Sequence, residues 1–157
     1  MKQITQPMLA QMSEQARQLS RLRTHHNFHP ELSDSVQRLA IAMEPLTYVR
    51  PHRHPHTWEV LTALSGHFVV LLFNDHGEVT ERVLLGKEAA ILEIPANTWH
   101  AVLSMEENAV IFEVKLGPYQ PVHAEDFAPW SPAEGEPEVA NMLAWYQTNT
   151  VGERYSA

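Results

Sequence analysis

The sequence predicts an all-β protein, an antiparallel sandwich or barrel with a helix before it and a tail after it. Short apolar segments, alternating or continuous, follow one another between residues 36 and 116. Turn-forming residues separate these segments, and no helical pattern is interleaved with them. The chain has 157 residues, 44% of them hydrophobic, which is enough to bury one sizeable core. We therefore expect one domain.

Residues 1–35 are expected to form a helical arm and a loop. Apolar residues recur every three or four positions between Pro7 and Leu22, which predicts an amphipathic helix. Pro7 suits the first turn of a helix, where its missing N–H group is not needed. Residues 24–35 show no regular period and include a Ser-Asp-Ser turn, so a loop is predicted there.

Residues 36–117 are expected to form the barrel itself. Strands are predicted at residues 36–43, 48–54, 58–64, 67–73, 78–85, 89–94, 98–103 and 109–116. The Asn-Asp-His-Gly sequence at 74–77 predicts a hairpin turn, because Asn, Asp and Gly accept the backbone angles of such turns. Closing these strands into a small antiparallel barrel would leave a pocket inside.

Residues 118–157 form a proline-rich, acidic tail with a short helix predicted at 137–146. Phe127, Trp130, Trp145 and Tyr146 predict that the tail docks on the barrel or on a partner subunit. The helix and the tail would also suit a dimer interface, so a homodimer is a candidate for the assembly of this protein.

The charge balance excludes several partners. The chain carries 11 Lys and Arg against 19 Asp and Glu, a formal net charge of -8, whereas nucleic acid requires a basic face. No stretch has the length of a membrane span, and the first residues lack the apolar segment of a signal peptide. We expect a cytoplasmic protein with no nucleic-acid or membrane partner. The absence of cysteine excludes disulfides and thiolate metal sites.

Two histidine motifs carry the strongest functional signal. His52 and His54 occupy alternate positions, so in an extended segment they share one face. Glu59 follows, and His100 begins a later strand. If these two residues return to the same face, three imidazoles and one carboxylate surround one position. That set suits a divalent transition metal such as Fe, Mn, Zn or Ni.

The spacing His52-x-His54-x4-Glu59-x6-Gly66 resembles the first metal motif of the cupin superfamily, and Pro95-x-Asn97-x2-His100 resembles the second. The resemblance implies a jelly-roll β-barrel and a metal held by His52, His54, Glu59 and His100. Leu46 and Asn97 stand where the family has Gly. Asn97 can serve the same turn because Asn tolerates a positive φ.

More narrowly, the chain resembles the WbuC-type cupins, small bacterial proteins often encoded near polysaccharide genes. The similar stretches are His25-His26-Asn27-Phe28-His29, Pro51-His52-Arg53-His54, Glu93-Ile94-Pro95 and Phe112 to Tyr119. The resemblance implies a link to sugar or polysaccharide metabolism, and it is the main reason to expect Asn27 and His29 near the site.

Further candidates to contact the metal ligands rest on weaker grounds. His56 continues the alternation of His52 and His54, but Pro55 is expected to disturb it and Glu59 follows too closely. Proximity to the site strands alone suggests a further group, Tyr48, Arg50, Trp99, Glu113 and Lys115. No catalytic residue can be assigned from the sequence.

Three neutral imidazoles and one carboxylate leave room for water or substrate on the ion, as catalytic metal sites do. We therefore expect a small-molecule metalloenzyme, either a Lewis-acid isomerase or hydrolase or an Fe(II) oxygenase. The alternatives are a non-catalytic module in which the metal anchors or senses a small ligand, and a metal that only stabilises the barrel.

Overall fold

The computed structural model of the chain describes residues 1–156. Those residues form two α-helices and eight β-strands. The elements in chain order are α1 (Gln6–Arg17), β1 (Arg23–Asn27), β2 (Val36–Met43), β3 (Glu59–Ser65), β4 (Phe68–Phe73), β5 (Val79–Leu85), β6 (Ile91–Ile94), β7 (Trp99–Ser104), β8 (Ala109–Leu116) and α2 (Val139–Thr148).

The strands pair in two antiparallel sheets. One sheet has the order β1-β2-β8-β3-β6, and the other has the order β5-β4-β7. The last strand, β8, lies between β2 and β3, so strands distant in the chain are neighbours in space. This confirms the predicted antiparallel jelly-roll fold, with its helix before the sheets.

The inner faces of the two sheets pack against each other because residues alternate along each strand. Leu61 and Ile111 of the five-stranded sheet lie in one buried cluster with Phe68, Val70 and Val102 of the three-stranded sheet. His100 belongs to the same inner face of β7 as Val102, two positions away. The polar site is therefore built into the space between the sheets.

The outer faces of the sheets are covered by the two ends of the chain. Helix α1 buries Leu9, Met12 and Ala16 against Ala40 and Val110 of the larger sheet. The tail covers the smaller sheet with a buried group of its own, Ala128, Met142, Leu143 and Tyr146. With both faces covered, all six residues of β7 are buried. Within this single chain, the aromatic tail therefore packs on the smaller sheet.

Two segments differ from the prediction. Residues 23–27, which fall mostly within the predicted loop, form strand β1 at the edge of the larger sheet. The sequence of this strand shows no alternation of apolar and polar residues, because Arg23, His25 and Asn27, which line a cavity, are themselves polar. Residues 48–54 form no regular strand, since Pro51 has no N–H group to donate to a ladder and His52 makes only isolated bridges.

Helix α1 ends at Arg17, before the predicted end at Leu22, which adopts a positive φ of 53°. The other strands begin and end within two residues of their predicted limits. Gly66, the glycine of the first motif, has φ 67° in the turn after β3, and a Cβ there would lie 2.7 Å from the Cβ of Ala109. Among residues 1–156, no helix combines the length and apolarity needed to cross a membrane.

Candidate metal centre

The structure brings the four predicted ligand residues together. The ligand nitrogens of His52, His54 and His100 all lie within 4.8 Å of one another. The carboxylate of Glu59, the first residue of β3, contacts two of these rings. Its Oε1 lies 3.0 Å from Nε2 of His54, and its Oε2 lies 3.0 Å from Nε2 of His100. All four residues line one cavity.

Backbone hydrogen bonds fix the segment that carries the first two histidines. The amide of His52 donates to the carbonyl of His100, and the carbonyl of His54 accepts from the amide of Asn97 at 2.9 Å. Asn97 has a φ of 61°, a positive value of the kind predicted for the turn before His100. On its other side the segment pairs with the tail, because Arg53 donates its amide to the carbonyl of Asp126 at 3.0 Å.

Two carbonyl groups set the proton positions on the histidines. Nδ1 of His52 lies 2.8 Å from the carbonyl oxygen of Arg50, and Nδ1 of His100 lies 2.9 Å from that of Thr98. A carbonyl only accepts, so each Nδ1 carries a hydrogen and a neutral ring leaves its Nε2 lone pair free. Such a second contact is typical of metal-binding histidines.

This arrangement fits a metal ion. The free Nε2 of a neutral His100 faces a carboxylate oxygen at 3.0 Å, so a proton or a cation must lie between two electron-rich atoms. Two atoms bound to one ion at about 2.1 Å and at a right angle to each other would be about 3.0 Å apart. The three-histidine group and the nearby carboxylate therefore indicate a divalent metal, whose identity the donor set leaves open.

The charges of the centre depend on burial and on mutual contacts. Burial and the neighbouring His100 hold the pKa of His52 well below its usual range. Burial alone would raise the pKa of Glu59, but hydrogen bonds from His100 and His54 outweigh it and lower the pKa well below its usual value. Glu59 is therefore a carboxylate, and His52 is a neutral imidazole, which are the forms that bind metals.

Lys115 and Glu113 extend the centre along β8. Nζ of Lys115 lies 2.9 Å from Oε1 of Glu59 and 2.8 Å from Oε1 of Glu113. Burial raises the pKa of Glu113, and the charge of Glu59 raises it further. Sequence reasoning proposed these two residues only by proximity. Their signal was two opposite charges at alternate positions of an otherwise apolar strand.

The cavity that the centre faces has a volume of about 680 Å³. That volume is in the range of small-molecule sites. Asn27 and His29 also line it. His29 is buried, and its Nδ1 lies 3.0 Å from the backbone nitrogen of Arg38. Both residues therefore line the cavity, and among the side-chain hydrogen bonds of residues 1–156 none joins them to the four predicted ligand residues.

Two other candidates lie outside the cavity. The ring of Tyr48 belongs to the core beneath the tail, stacks on Tyr146 and donates its hydroxyl to the carbonyl of Pro132 at 2.9 Å. His56 is exposed, and its ring meets only the edge of the His54 ring, at 6.2 Å between centroids. Neither side chain can contact a metal held by the three histidines.

The sequence matches a protein-family model. A family model described as a domain of unknown function, DUF6016, matches residues 4–85. No curated protein matches the sequence.

Solved structures resemble the fold at low identity. The DMSP lyase DddQ from Ruegeria pomeroyi superposes with a TM-score of 0.51 and 18% identity, over 64% of this chain and 49% of that one. KdgF from Halomonas sp. has a TM-score of 0.48 and 16% identity, over 62% and 80% of the two chains. A cupin superfamily protein from Desulfitobacterium hafniense has a TM-score of 0.48 and 17% identity, over 60% and 76%. Likeness at this level concerns the fold, a cupin jelly roll.

Proposed function

The chain belongs to the DUF6016 family, a domain of unknown function, and we propose that it is a metal-dependent cupin enzyme acting on a small molecule in its cavity. One observation carries this proposal. His52, His54, Glu59 and His100 all line a cavity of about 680 Å³, so an ion that they hold would face a space large enough for a substrate. A purely structural metal site is closed by its protein ligands.

A divalent ion at this centre would supply Lewis acidity toward a substrate oxygen. The protein's own residues position and protonate the substrate. Glu113 lines the cavity, and its raised pKa brings it nearer to neutrality than an exposed carboxyl. Its Oε1 accepts a hydrogen bond from Lys115 at 2.8 Å, which holds the carboxyl in place. We propose Glu113 as the group that gives a proton to the substrate or takes one from it.

The resemblance to WbuC-type cupins supports a narrower proposal, a role in sugar or polysaccharide metabolism. It rests on the stretches around Asn27 and His29 and on the Pro51 to His54 segment. The reaction type within this proposal is isomerisation or hydrolysis, with Fe(II) oxygenation as the alternative if iron is the native metal.

The first test is elemental analysis of untagged protein purified without added metal. About one equivalent of a divalent metal is expected in the wild type. The double variant His52→Ala/His100→Ala is expected to contain almost none. Absence of metal from the wild type, with no uptake on addition, would contradict a metal-dependent function.

The second test separates an enzyme from a structural site. The protein is loaded with Mn²⁺, and the relaxation of water protons is measured. An ion facing the cavity binds exchangeable water and enhances relaxation, whereas a closed site does not. Turnover is then followed by NMR with sugars and organic acids. Ligands that bind but remain unchanged would favour the alternative, a module in which the metal anchors or senses a small ligand.

A further inference from the structure

Strand β1 presents polar side chains to the cavity at alternate positions. Arg23, His25 and Asn27 all line it, and Arg23 lies at the end of the strand. Arg23 also lines a second cavity of about 360 Å³, together with His52 of the metal centre. A buried or partly buried arginine at the wall of a ligand cavity is a common recognition group for carboxylates.

The guanidinium of Arg23 is incompletely paired. Its side chain is 22% exposed, and it donates to the carbonyl of Tyr48 at 2.7 Å. Its nearest carboxylate within residues 1–156, that of Glu134, lies 3.9 Å away, beyond hydrogen-bond distance. By contrast, Arg50 in the second cavity donates to Ser131 and Ala128 through three contacts. Burial lowers the pKa of Arg23, and the adjacent charge of Arg21 lowers it further.

The chain already holds one carboxylate beside Arg23. Glu134 of the tail accepts two hydrogen bonds from Arg21, at 2.5 and 2.7 Å, at the exposed rim. This fork-to-fork contact is the geometry in which arginine recognises a free carboxylate. Glu134 therefore binds at the rim in the way that the carboxylate of a ligand would. The guanidinium of Arg23 lies deeper, and it has N–H groups left to donate to a ligand.

The charges of the cavity favour an anion. Its lining includes three cations, Arg21, Arg23 and Lys115, and two acidic groups, Glu59 and Glu113. The carboxylate of Glu134 pairs with Arg21 at the rim, so these side-chain charges balance when no ion is bound. A divalent ion at the metal centre adds two positive charges to this set. The excess of positive charge lies inside a protein whose formal net charge is -8. A neutral ligand would leave this excess uncompensated in a partly desolvated space.

The register of the sheet places apolar residues between the two charged ends. Glu59 pairs with Lys115 in one row, whereas Arg23 pairs with Met43 in a row further along β2. Between these rows Ile41 pairs directly with Ile111, and both line the cavity. The row between Lys115 and Ile111 holds Glu113, which pairs with Leu39 and also lines the cavity. A ligand that spans from the metal centre to Arg23 therefore passes the carboxyl of Glu113 and then the aliphatic pair.

The span is short enough for a small molecule. Arg23 donates to Tyr48, four residues before His52. Since an extended chain covers at most about 3.6 Å per residue, this carbonyl lies within about 14 Å of His52.

We propose that Arg23 binds the carboxylate of a small organic acid whose aliphatic or aromatic segment lies against Ile41 and Ile111. The opposite end of this acid reaches the metal centre, and that part of the inference rests on the proposed function. Arg23 is thus the residue that makes the site specific for acids over neutral molecules of the same shape.

The test compares hexanoate with hexanamide, which have nearly the same shape and differ in charge. Binding is measured by ligand-observed NMR titration of the full-length protein after chelation, so that the carboxylate cannot bind a metal instead. Hexanoate is expected to bind at least about tenfold more tightly than hexanamide. Equal binding of the two probes would overturn the proposal.

Variants assign the effect to Arg23. Arg23→Gln is expected to weaken hexanoate binding about tenfold or more, and Glu134→Gln is expected to strengthen it several-fold because a competing carboxylate is lost. Arg154→Gln is the control, since Arg154 makes an exposed ion pair with Glu78 away from the cavity. If Arg23→Gln does not fold, Arg23→Lys takes its place, because it keeps the positive charge and removes the forked pair of donors. Unchanged affinity for hexanoate in that variant would overturn the proposal.

The outcome is separable from that of the proposed function. Hexanoate binding that depends on Arg23 in a protein that takes up no metal would support the acid site and contradict the metalloenzyme. Normal metal content, together with hexanoate binding that is unchanged in Arg23→Gln, would support the metalloenzyme and contradict the acid site.

Discussion

His52 and His100 exchange both of their backbone hydrogen bonds, at 3.1 Å from the amide of His52 and at 2.9 Å from the amide of His100. Their rings lie 4.4 Å apart between centroids. The two motifs that supply the predicted ligands are thus joined through the main chain and not only through an ion. Because these bonds hold the two motifs together, we expect metal binding to require little reorganisation of the donor atoms.

His54→Ala is expected to reduce metal content severely while the protein stays folded, because a ligand is lost and the two sheets remain packed. Elemental analysis and circular dichroism measure the two quantities. His76→Ala is the matched control, since His76 is exposed in the turn before β5 and should retain full metal content. Equal metal retention in both variants would remove His54 from the ligand set.

Lys115→Met is expected to destabilise the metal-free protein by about 3 kcal/mol, because Glu59 and Glu113 lose the cation between them. The loss should be smaller with metal bound, since the ion then compensates Glu59. Urea unfolding with and without Mn²⁺ measures both values.

A second substitution tests this explanation. Adding Glu113→Gln to Lys115→Met removes one of the uncompensated carboxyls and should recover part of the stability. A double variant no more stable than Lys115→Met would argue that the lysine acts through packing alone.

Metal binding is expected to release protons and to weaken as the pH falls. Burial tends to lower the pKa of His100, but the hydrogen bond to Glu59 outweighs it and the pKa is raised. An ion binds only the deprotonated Nε2, so below this raised pKa it must displace a proton, and affinity drops by up to about tenfold per pH unit.

Calorimetric titration of Mn²⁺ in buffers of different ionisation enthalpy, from about pH 6 to about pH 8, counts the protons released. Glu59→Gln removes the contact that raises the pKa, so the remaining metal binding should release fewer protons near neutral pH. Proton release that is equal in both proteins would contradict this role of Glu59.

Leu46→Gly is expected to stabilise the protein by about 1 kcal/mol. Leu46 has a φ of 72° at the third position of a turn closed by the amide of Thr47 and the carbonyl of Glu44. Such a turn favours glycine at that position. The side chain is 64% exposed, so little packing is lost. Ile91→Gly is the control, because Ile91 is 61% exposed in β6 and should be destabilised by the same substitution.

Much of the fold and the four-residue cluster could be predicted from local patterns. Alternation and turn residues located β2 and β8 with their observed limits, and the motif spacings selected His52 and His100. Strand β1 was missed because its cavity-facing side chains are polar, which reverses the usual pattern of a buried face. That the four residues bind an ion stays a prediction.

The ion pair of Lys115 with Glu59 depends on strand register, and the sequence suggested Lys115 only by its proximity to the site strands. Lys115 stands opposite Glu59 only because β8 inserts between β2 and β3. The same limit applies to Arg23, whose relation to Glu134 joins the two ends of the chain. The charges of Glu113 and Lys115 on an apolar strand mark them as unusual, but the local sequence identifies the partner in neither contact.

The pairing of the tail with the metal-bearing segment has a consequence for the lifetime of the bound ion. Ala128 donates its amide to the carbonyl of Pro51 at 2.8 Å, and Asp126 binds the side chain of Arg53. The histidines on this segment therefore cannot move apart one at a time, and dissociation must break the bonds to a fixed frame. We therefore expect the tail to lengthen the residence time of a bound metal without contributing a ligand.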